Sequence, residues 1–266
     1  PGADFSLSPL GLGTVKFGRN EQVKYPESFA LPTDAEIHAL LDEARELGVN
    51  FLDTAPAYGV SEERLGTLLA QRGQEDLEWW VVGTKAGESF DRGESHHDFS
   101  PQAIRESVER SLRRLGRERL ELILLHSDGN DGEILRESGA VEELISLREE
   151  GKASAVGIST KTVEGGLLAF ERDLDGVMVT YNPWHREEEP VLNAAVKAGK
   201  GILIKKALGS GWLGGQGNPP SDPGERVKES FQFILEHPGT TSLVVGTLKP
   251  KNLRLNANAV DDLLGS

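Results

Sequence analysis

The residues best suited to chemistry in this chain follow short apolar runs. Asp53 and Tyr58 come directly after one such run, Lys85 ends a second and His126 ends a third. A carbonyl that accepts a hydride also needs a proton on its oxygen. A tyrosine can supply that proton if a nearby ammonium lowers its pKa from about 10, and a carboxylate can hold the ammonium in place. A neutral histidine can donate a hydrogen bond to the same oxygen.

These groups predict carbonyl reduction with a distinct role for each side chain. Tyr58 is the expected general acid, Lys85 the group that lowers its pKa, and Asp53 the partner of Lys85. His126 is expected to orient the substrate as a hydrogen-bond donor. Taken singly, each residue also has a structural interpretation: an ion pair, a packed ring, or a histidine that satisfies a buried backbone group. Their occurrence together at strand ends favours the catalytic interpretation.

Eight short apolar segments must position these residues. They alternate with amphipathic stretches, which predicts strands alternating with helices. Near-continuous apolar runs are typical of parallel strands buried on both faces. We therefore expect an α/β protein with a (β/α)8 TIM barrel, and residues 1–266 as a single domain. The predicted strands are 10–16, 49–54, 80–85, 120–126, 154–159, 176–181, 201–206 and 242–246.

Helix starts are marked by capping residues. Thr33 and Glu36 are spaced as a capping box, in which each side chain bonds the other's backbone N–H. Ser100 before Pro101 predicts an N-cap followed by proline at the first helical position. Ser61 is expected to cap a further helix. The helices therefore begin soon after the strand ends that carry Tyr58 and its neighbours.

Composition excludes several function classes. A net charge of −14 argues against nucleic-acid binding, which relies on a basic face. The absence of cysteine excludes disulfides and thiolate zinc sites. The pair at residues 96–97 is the nearest approach to a metal motif, and we expect an exposed loop there and no metal site. No apolar stretch is long enough for a membrane span. We expect a cytoplasmic monomer whose partner is a small-molecule carbonyl substrate.

The strongest motif is Asp53-Thr-Ala-x-x-Tyr58-Gly-x-Ser-Glu-x-x-Leu-Gly. It resembles the signature of the aldo-keto reductases. Residues 11–16 resemble the first-strand segment of that family, residues 156–159 its fifth-strand end, and residues 245–256 its adenosine-binding segment. The resemblance covers nearly the whole chain. It implies a barrel that binds a nicotinamide cofactor in extended form, with Asp53, Tyr58, Lys85 and His126 as its catalytic tetrad.

The resemblance also implies the cofactor site. Asp53 would contact the ribose next to nicotinamide, Ser159 the carboxamide, and Leu208 with Ser210 the pyrophosphate. The cofactor contacts implied in this way are Gly13, Thr14, Lys16, Asp53, Ser159, Thr160, Lys205, Leu208, Ser210, Gly246, Thr247, Lys249, Asn252 and Asn256.

The chain departs from the family pattern at several of these positions. Thr160 follows Ser159 where asparagine is frequent, and Lys205 or Lys206 replaces an aromatic that commonly stacks on nicotinamide. Cations also concentrate in the late segments, where a 2′-phosphate would need them. We therefore expect NADPH as the cofactor, with NADH possible.

Two other functions fit part of the pattern. A strand-end lysine can form a Schiff base, which would make Lys85 the nucleophile of an aldolase-like barrel lyase. A nicotinamide-binding redox sensor with little turnover is the non-enzymatic alternative. The physiological substrate is set by loops whose shape the sequence does not give.

Overall fold

The eight-stranded barrel is formed by strands separated in sequence by helices. The computed structural model describes residues 4–23, 25, 28–211 and 223–265. The strands in that part of the chain are β1 (Leu10–Gly13), β2 (Phe51–Asp53), β3 (Val81–Ala86), β4 (Glu88–Asp91), β5 (Glu94–His97), β6 (Leu120–His126), β7 (Ala153–Ser159), β8 (Gly176–Thr180), β9 (Gly201–Lys205) and β10 (Ser242–Val245).

Helices follow most of the strands. The α-helices of the described residues are α1 (Val15–Gly18), α2 (Asp34–Glu46), α3 (Ser61–Ala70), α4 (Gln74–Trp79), α5 (Pro101–Leu115), α6 (Asp131–Arg136), α7 (Ala140–Glu149), α8 (Val163–Glu171), α9 (Glu189–Ala198), α10 (Pro223–Leu235) and α11 (Pro250–Leu264). A 3-10 helix at Pro56–Tyr58 follows β2 and carries Tyr58. No helix within the described residues is both long and apolar enough to cross a membrane.

The barrel closes in the order β1-β10-β9-β8-β7-β6-β3-β2, and every neighbouring pair is parallel. The eight strands predicted from apolar runs are therefore confirmed, and so is the (β/α)8 fold. Most of their side chains are buried on both faces, as expected for parallel strands covered by helices. Since all eight strands run the same way, their carboxyl ends share one rim, where the tetrad lies.

A two-stranded hairpin, β4–β5, adds to the barrel between β3 and α5. Its strands pair antiparallel, with Glu88 opposite His97 and Ser89 opposite His96. The hairpin packs against the 3-10 helix that carries Tyr58. The prediction of a loop at residues 96–97 is therefore wrong, although both histidines are exposed as expected. The hairpin places a polar strand beside the catalytic rim.

The capping signals are confirmed at two helices and wrong at a third. Thr33 and Glu36 form the complete capping box of α2, and Ser100 accepts a bond from Ala103 N at α5. Ser61, however, is the first residue of α3 and does not cap it. Its buried hydroxyl instead donates to Thr14 O at 2.9 Å. Ser61 therefore fastens α3 to the end of β1.

The first predicted strand is shorter than expected. It ends at Gly13, and Lys16 lies in α1. Gly18 closes α1 where the backbone passes directly against the segment at Gly59. A Cβ on Gly18 would collide with Tyr58 O, and one on Gly59, whose φ is 62°, would collide with Gly18 O. This close approach of two glycines fixes the chain immediately after Tyr58.

Candidate active site

A buried ion pair lies at the centre of the rim. Lys85, on β3, donates from Nζ to Asp53 Oδ1 at 2.7 Å and to Thr54 O at 2.9 Å. The two charged residues are only 1% and 5% exposed. Burial opposes the charge of Lys85, but its interactions with Asp53 and Tyr58 together outweigh burial and raise the pKa of the ammonium. Lys85 is therefore held as a cation in one position.

Tyr58 lies directly beside this cation. Lys85 Nζ is 4.7 Å from the centroid of the Tyr58 ring. Burial raises the pKa of Tyr58 above its ordinary value, while the charge of Lys85 acts in the opposite direction. The prediction of a lowered pKa is thus wrong, because desolvation of the phenolate is the larger influence. Tyr58 is protonated at neutral pH and its rise in pKa is limited by Lys85.

His126 completes the group from the end of β6. Its ring stands edge-on to that of Tyr58, with centroids 6.2 Å apart. Burial lowers the pKa of His126, and the charge of Lys85 adds to this effect although Glu88 opposes it. The imidazole is therefore neutral at neutral pH, as predicted. The structure thus brings all four predicted catalytic side chains to one place.

Glu88 is a member of this group that the sequence did not indicate. Its Oε2 atom lies 2.7 Å from His126 Nδ1, and its side chain is 13% exposed. The residue starts β4, three positions after Lys85. The only signal in the sequence was that an acid lies three positions after a candidate catalytic lysine. Such a spacing is weak evidence by itself.

A second cation lies across the barrel at the fifth and seventh barrel strands. Lys205, at the end of β9, donates from Nζ to Ser159 Oγ at 3.0 Å and to Thr160 O at 2.6 Å. Burial lowers the pKa of Lys205 to about 8. The structure thus joins three of the residues that the resemblance assigns to the nicotinamide end. Lys206, the neighbouring lysine, is exposed.

The first-strand residues have more structural roles than expected. Thr14 is fully buried, and its backbone N and hydroxyl both donate to Asp53 O, at 2.9 and 3.1 Å. Gly13 is buried at the end of β1, where a Cβ would come within 3.2 Å of Val244. Lys16 places Nζ 4.1 Å from the centroid of the Tyr25 ring. Thr14 therefore supports the backbone of a tetrad residue.

The remaining predicted cofactor residues lie on late segments of the barrel. Leu208 is half-buried after β9, and Ser210 has a left-handed backbone with φ of 59°. Gly246 is exposed just after β10, and a Cβ on it would lie 3.5 Å from Gly13 O. Thr247 is buried and its hydroxyl accepts from Lys249 N at 3.1 Å. These residues therefore lie on the part of the rim that runs from β9 and β10, beside β1, toward α11.

The start of α11 carries the cations expected for a phosphate. Lys249 precedes the helix, and Lys251 lies in its first turn; both are exposed. Neither has an ion pair within the part of the chain that the structure describes. Arg254 differs, because its Nη2 donates to Glu43 Oε2 on α2 at 2.7 Å. Along the same helix Asn252 is exposed and Asn256 buried.

The nicotinamide end has polar groups that suit a carboxamide. The hydroxyl oxygen of Thr160 is buried and lacks a hydrogen-bond partner among the described residues. A buried polar atom without a partner is costly unless a ligand satisfies it. Ser159 and Lys205 lie beside it, so these residues fit a nicotinamide amide. Within the described residues, no cluster of three or more His, Cys, Asp or Glu side chains could hold a metal ion.

Comparison with known proteins identifies the family of the chain. The pattern of the Aldo/keto reductase family matches residues 9–232. D-threo-aldose 1-dehydrogenase of a Pseudomonas species is 28% identical over 96% of this chain and 90% of its own length. NADH-specific methylglyoxal reductase of Escherichia coli is 31% identical over 58% of this chain and 48% of its own.

A solved structure is similar over almost the full length. It belongs to a protein from Pseudomonas aeruginosa assigned to the aldo-keto reductases, with 46% identity. The two folds superpose with a TM-score of 0.85 over 99% of this chain and 95% of the other. The barrel, the joined tetrad and the family match agree: the chain is an oxidoreductase that belongs to the aldo/keto reductase family.

Proposed function

We propose that this oxidoreductase transfers hydride between NADPH and a small aldehyde or ketone, with Tyr58 as general acid. The observation that carries the proposal is the position of the Lys85 ammonium. It lies 2.7 Å from Asp53 Oδ1 and 4.7 Å from the Tyr58 ring centroid. A cation fixed at that place stabilises the phenolate that proton transfer leaves behind.

The chain's own residues move the proton. Bound NADPH supplies the hydride to the carbonyl carbon. Tyr58 gives its phenolic proton to the carbonyl oxygen as negative charge develops there. Lys85 offsets the charge of the resulting phenolate, and Asp53 keeps Lys85 protonated and in place. Oxidation of an alcohol runs these steps in reverse, with Tyr58 taking the proton.

The cofactor choice depends on the two ends of the site. Thr160 and Ser159 would hold the nicotinamide amide, for which the unpartnered Thr160 hydroxyl is the support. Lys249 and Lys251 would contact the 2′-phosphate at the start of α11, where the positive end of the helix dipole also favours an anion. This charge supports NADPH, although a relative from Escherichia coli is named as NADH-specific.

The substrate class follows from the tetrad and from the relatives' names. A relative named D-threo-aldose 1-dehydrogenase acts on sugars, which supports a polar, hydroxylated carbonyl compound as substrate here. The Schiff-base lyase is disfavoured, since Lys85 is bonded to Asp53 and its pKa is raised. An amine nucleophile must be unprotonated and free to attack.

A binding titration tests the proposal first. Purified protein is titrated with NADPH and with NADH, and quenching of tryptophan fluorescence is recorded. Saturation by NADPH at lower concentration than by NADH supports the proposal, and a panel of aldehydes and ketones then measures turnover. Failure of both cofactors to bind contradicts it. Tight binding without turnover of any carbonyl favours the redox-sensor alternative.

A further inference from the structure

Tyr25 reaches the catalytic rim from the segment between α1 and α2, and its side chain is half-buried there. A Cβ atom on Gly246, just after β10, would lie 3.4 Å from Tyr25 Oη and 3.5 Å from Gly13 O. Gly13 is the last residue of β1, which pairs with β10 in the barrel. The phenol oxygen therefore lies close to the point where the carboxyl ends of β1 and β10 meet.

Two neighbouring side chains hold the Tyr25 ring in place. The Lys16 ammonium lies 4.1 Å from the ring centroid, and the Phe29 ring stands edge-on to it with centroids 5.7 Å apart. Lys16 Nζ is also 5.1 Å from the centroid of Phe29. A cation this close to two aromatic rings is attracted by their π electrons. The phenol is thus presented to the rim from a supported ring, with a positive charge beside it.

The Tyr25 phenol keeps its proton at neutral and mildly alkaline pH. Burial is the main cause that raises its pKa above the ordinary value, and the negative charges of Tyr58 and Asp53 add to the rise. Tyr25 therefore lies within the electrostatic reach of two residues of the tetrad. A protonated phenol can donate a hydrogen bond to an anionic oxygen, whereas a phenolate would repel it.

The cofactor contacts expected from the sequence surround Tyr25 but do not include it. A dinucleotide bound along those contacts would extend from Asp53, at the end of β2, to Lys249, and so cross the ends of β1 and β10. Gly246 is exposed at the end of β10 and has no side chain, which leaves room for a bulky group. In the barrel order β10 lies between β1 and β9. Ser210, which follows β9, and Tyr25 therefore lie on opposite sides of that space.

We propose that Tyr25 is a cofactor-binding residue whose hydroxyl donates a hydrogen bond to the diphosphate group of the dinucleotide. Lys16, against the same ring, adds positive charge on that side of the diphosphate, and a hydrogen bond to an anion is stronger than one between neutral groups. The diphosphate is common to NADPH and NADH, so Tyr25 contributes to the affinity for both and takes no part in the choice between them. The inference rests on the proposed function and adds a residue to the cofactor site.

Binding affinities test this contact without any turnover. Dissociation constants for NADPH, NADH and adenosine 2′-phosphate are measured by titration calorimetry with the unaltered protein, Tyr25→Phe and Tyr181→Phe. Tyr25→Phe keeps the ring and loses the donor, so it should bind both dinucleotides about tenfold more weakly and adenosine 2′-phosphate, which has no diphosphate, equally well. Tyr181→Phe is the control, because its ring is buried against Phe233 and all three affinities should stay unchanged. Unchanged affinity of Tyr25→Phe for both dinucleotides, or a loss for NADPH alone, overturns the proposal.

The phenol can also be observed directly by NMR. The chain has three tyrosines, and labelling each with ¹³C at its ζ carbon gives signals that are assigned by their loss in the three Tyr→Phe variants. Addition of NADPH or of inorganic diphosphate should shift the Tyr25 signal, and diphosphate should leave the Tyr181 signal in place. If diphosphate shifts the Tyr25 signal while neither NADPH nor NADH binds, the proposed function fails and the phosphate contact of Tyr25 stands. A Tyr25 signal that responds to neither NADPH nor diphosphate overturns the contact.

Discussion

Lys85 Nζ and Asp53 Oδ1 lie 2.7 Å apart at the catalytic rim, on two residues that are almost inaccessible to solvent. A buried pair of this kind recovers its desolvation cost only while both charges are present. The pair is therefore required for the local fold as well as for the charge beside Tyr58. Changes to it should affect stability and activity together.

Removing either partner should destabilise the protein strongly. Asp53→Asn leaves the Lys85 charge buried without its counter-charge, at a cost of about 3 to 5 kcal/mol in the free energy of unfolding, and Lys85→Met should cost a similar amount. Combining the two changes should cost less than their sum, because no lone charge then remains. Urea unfolding followed by tryptophan fluorescence measures this coupling. The exposed pair Arg136–Glu164 is the control, since Glu164→Gln should cost less than about 1 kcal/mol. Additive losses at Asp53 and Lys85 would argue against the coupling.

The phenol of Tyr58 should be needed for turnover and dispensable for cofactor binding. Tyr58→Phe removes the proton donor but retains the ring beside Lys85. We expect kcat to fall by about 10²- to 10⁴-fold, the usual range for loss of a general acid. Steady-state kinetics gives the fall in rate, and the fluorescence titration checks that NADPH affinity is nearly unchanged. Turnover at the original rate would show that another group delivers the proton.

The pH dependence of alcohol oxidation should report the charge of Lys85. Oxidation needs Tyr58 as phenolate, so its rate rises as pH approaches the pKa of Tyr58. Burial raises that pKa and Lys85 limits the rise. Lys85→Met removes the limiting charge, and the rising limb of kcat/KM should therefore move to higher pH. If the rising limb of kcat/KM stayed at its original pH or moved to lower pH, Lys85 would not act on this phenol.

The strands and the tetrad were predictable because their signals are local. Most strands are near-continuous apolar runs, and parallel strands place their carboxyl ends on one rim, so we could expect the residues after these runs to lie close together. The β4–β5 hairpin gave no such signal, since its strands are short and mostly polar, with β4 half-buried and β5 exposed. The contact of Glu88 with His126 depends on how that hairpin folds back over the barrel. It could not be read from a spacing of 38 residues.

Ion pairs between segments that are distant in sequence could not be predicted either. Arg254 is close in sequence to Lys249 and Lys251, which suggests a shared role in binding phosphate. Its partner, Glu43, is 211 residues away in sequence and comes close only when α11 packs beside α2. The raised pKa of Tyr58 also depends on three-dimensional burial. Sequence reasoning identified the charge that would act on the phenol but not the desolvation that exceeds it.

The cations at the start of α11 should decide between the two cofactors. Lys249→Ala combined with Lys251→Ala removes the charge available to a 2′-phosphate. The ratio of NADH to NADPH dissociation constants should fall by about tenfold or more, chiefly through weaker NADPH binding. Arg254→Ala is the matched control on the same helix, because its guanidinium is paired with Glu43 and should leave the ratio unchanged. An equal effect of both variants would place the phosphate elsewhere.

Lys205 should make the affinity for oxidised cofactor depend on pH. Its pKa of about 8 leaves it charged at neutral pH, where it bonds Ser159 and Thr160 at the expected nicotinamide end. The oxidised ring is cationic and the reduced ring neutral, so the charged lysine should repel NADP⁺ selectively. Raising the pH from about 7 to about 9 should tighten NADP⁺ binding by about tenfold, with a smaller change for NADPH. Lys205→Met should bind NADP⁺ more tightly at neutral pH and lose this dependence. Lys206→Met, which removes an exposed charge one residue away, should retain it; the same loss in both variants would assign the effect to general surface charge.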